Sequence, residues 1–198
     1  MRKFLVAAIF ALAAASLSAY PVYYKEQYYQ LFHTHYIQSP DDSIENIYWL
    51  ELAKKADFCN PLYALAVITN PQQWERYRYL LDMHIDLMLI QQHLILGSKF
   101  DKRKAYFYNA PWKQENLDSL KIAESAYRTA LAYWGEAKSL AAKAMQTPYV
   151  LVDGAEYWID EAARIQSGEL DYADIIATQL DRLAKVRAAF EKMDGSTY

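Results

Sequence analysis

Residues 70–97 read NPQQWERYRYLLDMHIDLMLIQQHLILG, and this stretch decides the fold. Asn70 can cap a helix, proline suits the first turn, and Gln73 can bond back as in a capping box. Two apolar stripes follow at helical spacing until Gly97, a residue type that commonly ends helices. One stripe holds Trp74, Tyr77, Leu81, Ile85 and Met88, and the other holds Leu80, Met83, Leu87, Ile90 and Leu94. Two stripes predict burial on two sides, so we expect a central helix.

Helical patterns also cover most of the remaining chain. The sequence has 5 glycines and 18 tyrosines, and with its many alanines this favours helices joined by short turns. The predicted helices are 20–38, a second opening on Ser39-Pro40 and ending near 56, then 62–68, 116–146, 155–166 opened by Asp153 with Glu156, and 171–193 stopped by Gly195. Residues 98–112 read as a structured connector. The predicted fold class is all-α, with six to seven antiparallel helices in a single domain over 20–198.

The N-terminal 19 residues have the order of a secretory signal peptide. Met1-Arg2-Lys3 is cationic, residues 4–15 are apolar and uncharged, and residues 16–19 are mostly small. We therefore expect export to the periplasm, with cleavage after Ser18 or Ala19. The alternative is a retained segment that anchors the protein in the inner membrane.

The composition excludes several classes of protein. Removal of Arg2 and Lys3 with the signal would take the net charge from −3 to −5, which does not fit a nucleic-acid binder. Cys59 is the single cysteine, so no internal disulfide can form, and it lies too far from the cleavage point to accept a lipid.

Some helix pairs resemble tetratricopeptide repeats. Ala123, Tyr127 and Ala130 have the spacing of the second helix of such a repeat, and residues 168–173 resemble its inter-helix turn. The aromatic pattern of the first helix is absent before Ala123, and the alanines do not recur every 34 residues or so. An ordinary antiparallel helical domain with alanine seams stays open as the alternative.

Two stretches carry a narrower resemblance. Residues 48–66 (YWLELAKKADFCNPLYALA from Tyr48) and residues 102–113 (KRKAYFYNAPWK) resemble a small exported helical family of spirochaetes. Tetratricopeptide-like members of that periplasmic set build the collar of the flagellar motor. The resemblance implies a role as a periplasmic assembly part, and it brings no site residues with it.

No motif with known catalytic chemistry occurs in the sequence. His33 and His35 diverge by roughly 200° on a helix, so they are not expected to share a metal. His84 and His93 should point to opposite faces of one helix, as satisfied core or surface histidines. Cys59 has no neighbouring base and reads as a packing residue. We predict a protein without enzymatic activity, cofactor or metal; an enzyme would need Cys59 or a histidine beside a carboxylate in a cleft.

Two aromatic patches are the candidate binding residues. The first has a cationic rim beside a run of rings, and the second lies at the predicted mature N-terminus. The candidates are Lys102, Arg103, Lys104, Tyr106, Phe107, Tyr108 and Trp112 in the first patch, and Tyr23, Tyr24 and Tyr28 in the second. Tyrosine and tryptophan dominate binding hot spots because they bury much area with few rotamers to freeze.

Two functions fit these patches. The first is a scaffold that binds other periplasmic or envelope proteins, with no nucleic acid partner and no membrane contact beyond a retained signal. The alternative is a small-ligand or glycan-binding protein, which requires a concave pocket lined by these rings.

Overall fold

The computed structural model describes residues 21–194 and residue 196. The α-helices in this part of the chain are α1 (Lys25–Gln38), α2 (Ser43–Lys55), α3 (Pro71–Phe100), α4 (Lys113–Ala144), α5 (Glu156–Ser167) and α6 (Tyr172–Glu191), with short 3-10 helices at Pro61–Tyr63 and Phe107–Trp112. The all-α prediction of six to seven helices is confirmed. The predicted signal peptide and the stop at Gly195 lie outside the described residues.

A long antiparallel hairpin of α3 and α4 forms the centre of the fold. Its 30- and 32-residue helices pack along each other, and α3 buries both predicted stripes. The facing side of α4 is rich in alanine, which lets the two helices approach closely. Its buried alanines are Ala123, Ala126, Ala130, Ala137, Ala141 and Ala144. The predicted central helix is therefore confirmed.

The shorter helices cover the hairpin on two sides. α1 and α2 pack on each other, with α2 also against α3, while α5 and α6 pack mainly against α4. Buried charges join α1 and α2 to the centre, because Lys25 Nζ lies 2.8 Å from Asp82 and Lys54 Nζ lies 2.5 Å from Asp86. Within the described range, none of the helices is both long and apolar enough to span a membrane.

The predicted stop of α3 at Gly97 is wrong, since the helix continues to Phe100. Gly97 is buried inside the helix, and a Cβ atom there would lie 2.4 Å from the Tyr127 ring on α4. The glycine thus permits a close helix–helix approach and does not end the helix. By contrast, Gly168 ends α5 as predicted, with a left-handed φ of 76°.

The predicted capping residues Ser39 and Asp153 are also wrong, and the predicted start of α1 is too early. Ser39 ends α1, donating its backbone N–H to His35 O, and Asp42 caps α2 by accepting the N–H of Glu45. Ala155 precedes α5, where the Glu156 carboxylate accepts the Gly154 N–H at 3.0 Å and Asp153 supplies no cap. α1 begins at Lys25 and not near Tyr20, because the Gln27 side chain accepts the Tyr23 and Tyr24 N–H groups.

The predicted helix at 62–68 is replaced by one 3-10 turn, Pro61–Tyr63, and an irregular segment. The Leu65 N–H donates to the Tyr77 hydroxyl at 3.1 Å, and the Val67 N–H donates to Asp153 O at 2.9 Å. These partners lie on other elements. A helix of seven residues is too short to compete with them by local hydrogen bonds alone.

Candidate functional site

The connector between α3 and α4 carries the largest group of predicted binding residues; we call residues 102–112 the aromatic loop. Its second half forms the 3-10 helix Phe107–Trp112, so α4 begins at Lys113 and not at Asn116. The Tyr106 and Tyr108 rings stack in parallel, with centroids 5.1 Å apart and planes 6° apart. Tyr106, Tyr108 and Trp112 are 47%, 49% and 55% exposed. The loop therefore presents three large rings to solvent.

Hydrogen bonds hold the aromatic loop in one shape. The Asn109 side chain accepts the Tyr106 N–H at 3.2 Å, and the Asn109 N–H donates to Tyr106 O at 2.9 Å. The Asn116 amide donates to Trp112 O at 2.8 Å. Lys113 Nζ joins the loop to the end of α6 through the carbonyls of Glu191 and Met193. A fixed loop loses little conformational entropy on binding.

The predicted cationic rim is present beside these rings. Arg103 and Lys104 are exposed and Lys102 is half-buried. Arg103 also lines a cavity between the loop and α6, and Tyr106, Tyr108 and Trp112 do not line that cavity. The cationic residues therefore directly precede the exposed rings along the chain, and this cavity is separate from those rings.

The N-terminal tyrosines form a separate patch. Tyr23 and Tyr24 are 65% and 43% exposed and pack edge to face, whereas the half-buried Tyr28 donates its hydroxyl to Val22 O. Lys25, which follows Tyr24, forms an ion pair with Asp82 of α3. Asp82 lies 18 positions before the end of α3, where the aromatic loop begins, and this corresponds to about 27 Å along the helix axis. The structure does not bring the two predicted patches together.

Sequence reasoning missed a third exposed apolar surface, at the opposite end of the hairpin. Leu62, Tyr63 and Val67 are 83%, 77% and 55% exposed. Leu62 and Val67 line an open groove of about 510 Å³ that continues to Asp153 and Gly154. The prediction of a short helix at 62–68 concealed this surface, because a helix would bury one of its faces. Asn60-Pro61 was the only local sign of an interruption.

A buried hydrogen-bonded chain joins α1, α3 and α5. The Tyr29 hydroxyl lies 2.9 Å from His84 Nε2, and His84 Nδ1 lies 2.7 Å from a Glu161 carboxylate oxygen. His84 also stacks on Trp158. Burial, aided by the Glu161 charge, raises the pKa of Tyr29 to about 12, so this hydroxyl stays protonated at neutral pH.

The hydrogen-bonded residues Tyr29, His84 and Glu161 meet part of the requirement stated above for an enzyme, because they include a histidine beside a carboxylate. His84 and Glu161 are only 4% and 5% exposed, and of the three residues Tyr29 alone lines the adjacent groove. That groove, of about 470 Å³, is completed by Gln30, His33, Thr34, Leu65 and Trp158. These hydrogen bonds join helices α1, α3 and α5 at the base of the groove.

Cys59 lies in a polar but inactive setting. Its backbone N–H donates to a Glu26 carboxylate oxygen at 2.9 Å, and its thiol donates to Asn60 O. Burial, together with the negative Glu26, raises the pKa of Cys59 to about 12. A nucleophilic cysteine needs a lowered pKa, so this geometry opposes thiolate chemistry.

The other histidines have separate surroundings. His93 stacks on Tyr133 with both ring nitrogens buried and unbonded among the described residues, so the prediction of a satisfied histidine is wrong there. Burial lowers its pKa. His33 lines the groove at Tyr29. His35 Nδ1 contacts Asn46, and one His35 ring nitrogen and one carboxylate oxygen each from Asp42 and Glu45 lie within 4.8 Å of one another.

Comparison with known proteins identifies the family. Residues 72–193 match the family described as a domain of unknown function (DUF8513). The matched residues make up more than half of the chain. No curated protein and no solved structure matches the sequence. The chain therefore belongs to this family, whose matched region runs from the first turn of α3 to just past α6.

Proposed function

We propose that this protein is an exported, non-enzymatic helical scaffold that binds another envelope protein through the aromatic loop. The observation that carries the proposal is the parallel Tyr106–Tyr108 stack, held on a 3-10 helix and about half exposed. Trp112 and the cationic edge at Lys102–Lys104 extend this surface. A rigid aromatic centre with a polar rim is the usual composition of a protein-binding hot spot.

Two sequence features support the location and the type of assembly. The signal-peptide pattern of residues 1–19 supports export to the periplasm. The resemblance of residues 48–66 and 102–113 to exported spirochaete proteins supports a place in an envelope assembly such as the flagellar motor collar. The second stretch coincides with the aromatic loop, so the same residues carry both the resemblance and the exposed rings.

The experiment is site-specific photocrosslinking in native cells. A photoreactive amino acid replaces Tyr108 in a tagged chain, and the same residue replaces Tyr149 in a matched control, because Tyr149 is 80% exposed and lies beyond the far end of α4. After irradiation, the crosslinked species are purified and identified by mass spectrometry.

We expect one discrete protein adduct from position 108 and none from position 149. Adding Tyr106→Ala and Trp112→Ala should abolish that adduct. Equal labelling at the two positions, or an adduct that survives the double substitution, would contradict the proposal. N-terminal sequencing of the purified protein tests export, with cleavage expected after Ser18 or Ala19.

A second candidate function is the binding of a small ligand or cell-wall glycan in the groove at Tyr29. Here Tyr29 and Trp158 provide aromatic walls, and Gln30, His33 and Thr34 provide exposed polar groups. Sugars bind to such mixtures of stacking surfaces and hydrogen-bonding groups. The sequence analysis expected a pocket lined by rings such as Tyr106, Tyr108 and Trp112, and these residues do not line this groove. This second candidate therefore uses a different site.

Titration with soluble cell-wall glycan fragments, followed by the intrinsic fluorescence of the five tryptophans, tests the second candidate, since Trp158 lines the groove. Gln30→Ala should weaken binding, because the Gln30 side chain lines the groove and makes no hydrogen bond with the described residues. Gln114→Ala, at an exposed site on α4, is the control. An unchanged emission spectrum at millimolar glycan would reject this candidate and leave the scaffold proposal standing.

A further inference from the structure

A polar cavity of about 290 Å³ lies between the start of the aromatic loop and helices α3, α4 and α6. Its polar lining includes Asp101, Arg103, Gln179 and Arg182, and its apolar lining includes Leu94 and Ile175. This volume is at the lower end of the range for small-molecule sites. The lining contains groups of both charges together with an apolar wall.

Asp101 is the buried acid of this cavity. Its side chain is 3% exposed, and one oxygen, Oδ2, accepts both the Tyr127 hydroxyl at 3.0 Å and the Arg182 guanidinium. The other oxygen, Oδ1, is buried and has no hydrogen-bond partner within the described residues. A buried carboxylate oxygen without a donor costs free energy, so this position favours a ligand that carries an N–H or O–H group.

Two guanidinium groups provide the opposite requirement. Arg182 is partly neutralised by Asp101, yet its Nε is also buried without a partner. Arg103 is exposed at the cavity wall and makes no hydrogen bond or ion pair with any described residue. One uncompensated positive charge therefore remains, and a guanidinium binds a carboxylate with two parallel hydrogen bonds.

We propose that this cavity binds a free α-amino acid with an apolar side chain. The ammonium group would donate to Asp101 Oδ1, the carboxylate would bind Arg103 and Arg182, and the side chain would contact Leu94 and Ile175. A simple anion would leave Asp101 Oδ1 without a donor, and a simple amine would leave Arg103 without an anionic partner. The site faces α6 and does not use the aromatic rings, and Arg103 is the residue that it shares with the cationic edge of the proposed partner surface.

Isothermal titration calorimetry at low ionic strength tests the proposal on the full chain. L-leucine is the probe, 4-methylpentanoate is the same molecule without the amine, and 3-methylbutylamine is the same molecule without the carboxylate. We expect one saturable site for L-leucine and affinity at least about tenfold lower for each truncated probe. No saturable heat with L-leucine up to tens of millimolar, or equal affinity for a truncated probe, would overturn the proposal.

Two variants locate the site. Arg103→Ala should weaken L-leucine binding by about tenfold or more, whereas Lys104→Ala, an exposed neighbouring cation outside the cavity lining, should leave it unchanged. Arg103 makes no contact that supports the fold, so this variant should keep its circular dichroism spectrum and melting temperature. Equal affinity in wild type and Arg103→Ala would overturn the assignment.

Asp101→Asn adds a readout that a structural role alone would not produce. It replaces the acceptor for the ammonium group while keeping the shape of the side chain. L-leucine binding should fall by about tenfold, and the preference for L-leucine over 4-methylpentanoate should disappear. If folded Asp101→Asn protein retains that preference, the ammonium site is not at Asp101.

Discussion

The two ends of the α3–α4 hairpin are closed by opposite charges. At the aromatic-loop end, the Asp101 carboxylate accepts the Tyr127 hydroxyl and pairs with Arg182 of α6. At the other end, the Arg76 guanidinium is buried and donates to the carbonyls of Pro148 and Val150. One end therefore joins side chains to one another, whereas the other joins a side chain to the backbone of a connector.

The difference explains why the two connectors behave differently. Residues 102–112 have their own 3-10 helix and local hydrogen bonds, and the rings of Tyr106, Tyr108 and Trp112 are about half exposed. Residues 145–155 contain backbone hydrogen bonds from Val150 N–H to Thr147 O and from Ala155 N–H to Val152 O, and the Arg76 guanidinium of α3 also binds two of their carbonyls. We expect the far end to depend on one residue and the loop end to depend on close helix packing.

The largest expected effect is Arg76→Ala. It leaves a cavity and two connector carbonyls without their donor, so we expect a loss of about 3–5 kcal/mol in the free energy of unfolding. Urea denaturation measures it. The matched control is Arg78→Ala, which changes an exposed arginine two positions further along α3. It should lower the free energy of unfolding by less than about 1 kcal/mol. Similar losses for the two variants would break the comparison.

The loop end is tested by Gly97→Ala. The new Cβ atom would lie 2.4 Å from Tyr127 Cε1, so the buried Tyr127 ring or the helices must move, at a cost of about 2 kcal/mol. Gly135→Ala on α4 has open space around the new atom and should stabilise the protein by about 0.5–1 kcal/mol. Thermal unfolding of both variants gives the sign. A stable Gly97→Ala protein would show that the helix approach is not tight.

The middle of the hairpin is tested by pH. Burial raises the pKa of Asp86 to about 7, although Lys54 opposes the shift. The folded state thus binds more protons than the unfolded state between about pH 4 and pH 7, so this group's contribution to stability falls as pH rises through that window. In the wild type, this group should lower the free energy of unfolding by about 2 kcal/mol between pH 5 and pH 7.5, and Asp86→Asn should remove that pH dependence. Urea titrations at pH 5 and 7.5 measure it, and parallel curves for both proteins would refute the assignment.

The smallest expected effect on stability is at the exposed rings. Tyr106→Ala and Trp112→Ala remove side chains that are about half in solvent, so each should change the free energy of unfolding by no more than about 0.5 kcal/mol. The same variants should abolish the crosslink at position 108. A large loss of stability would mean that the rings serve the fold of the connector and not a partner.

Much of the fold could be predicted from periodicity. The two stripes of α3 led directly to the central helix, and the alanine face of α4 indicated a close neighbour. The errors occurred where local signals have two physical uses. Gly97 could end a helix or admit a ring, and only the position of Tyr127 decides between them.

The candidate site was predicted in part. The rings at Tyr106, Tyr108 and Trp112 were found from composition, and the structure shows that they are exposed. The hydrogen-bonded residues Tyr29, His84 and Glu161 could not be predicted as a group, because they lie more than 50 positions apart in the sequence. The cavity at Asp101 could not be predicted because Asp101 pairs with the distant Arg182 and because α3 was expected to end at Gly97.

The sequence alone determined the elements that depend on neighbours within a few positions: the helical class, the burial of α3 on two sides, the cap at Asn70 and the left-handed glycine at Gly168. Tertiary structure alone decided which polar groups meet, how far α3 extends and why residues 64–68 are not helical. The physical reason is range. Helical periodicity and capping act within one or two turns, whereas the partners of Asp101, Arg76 and Leu65 come from distant segments that only packing brings within hydrogen-bonding distance.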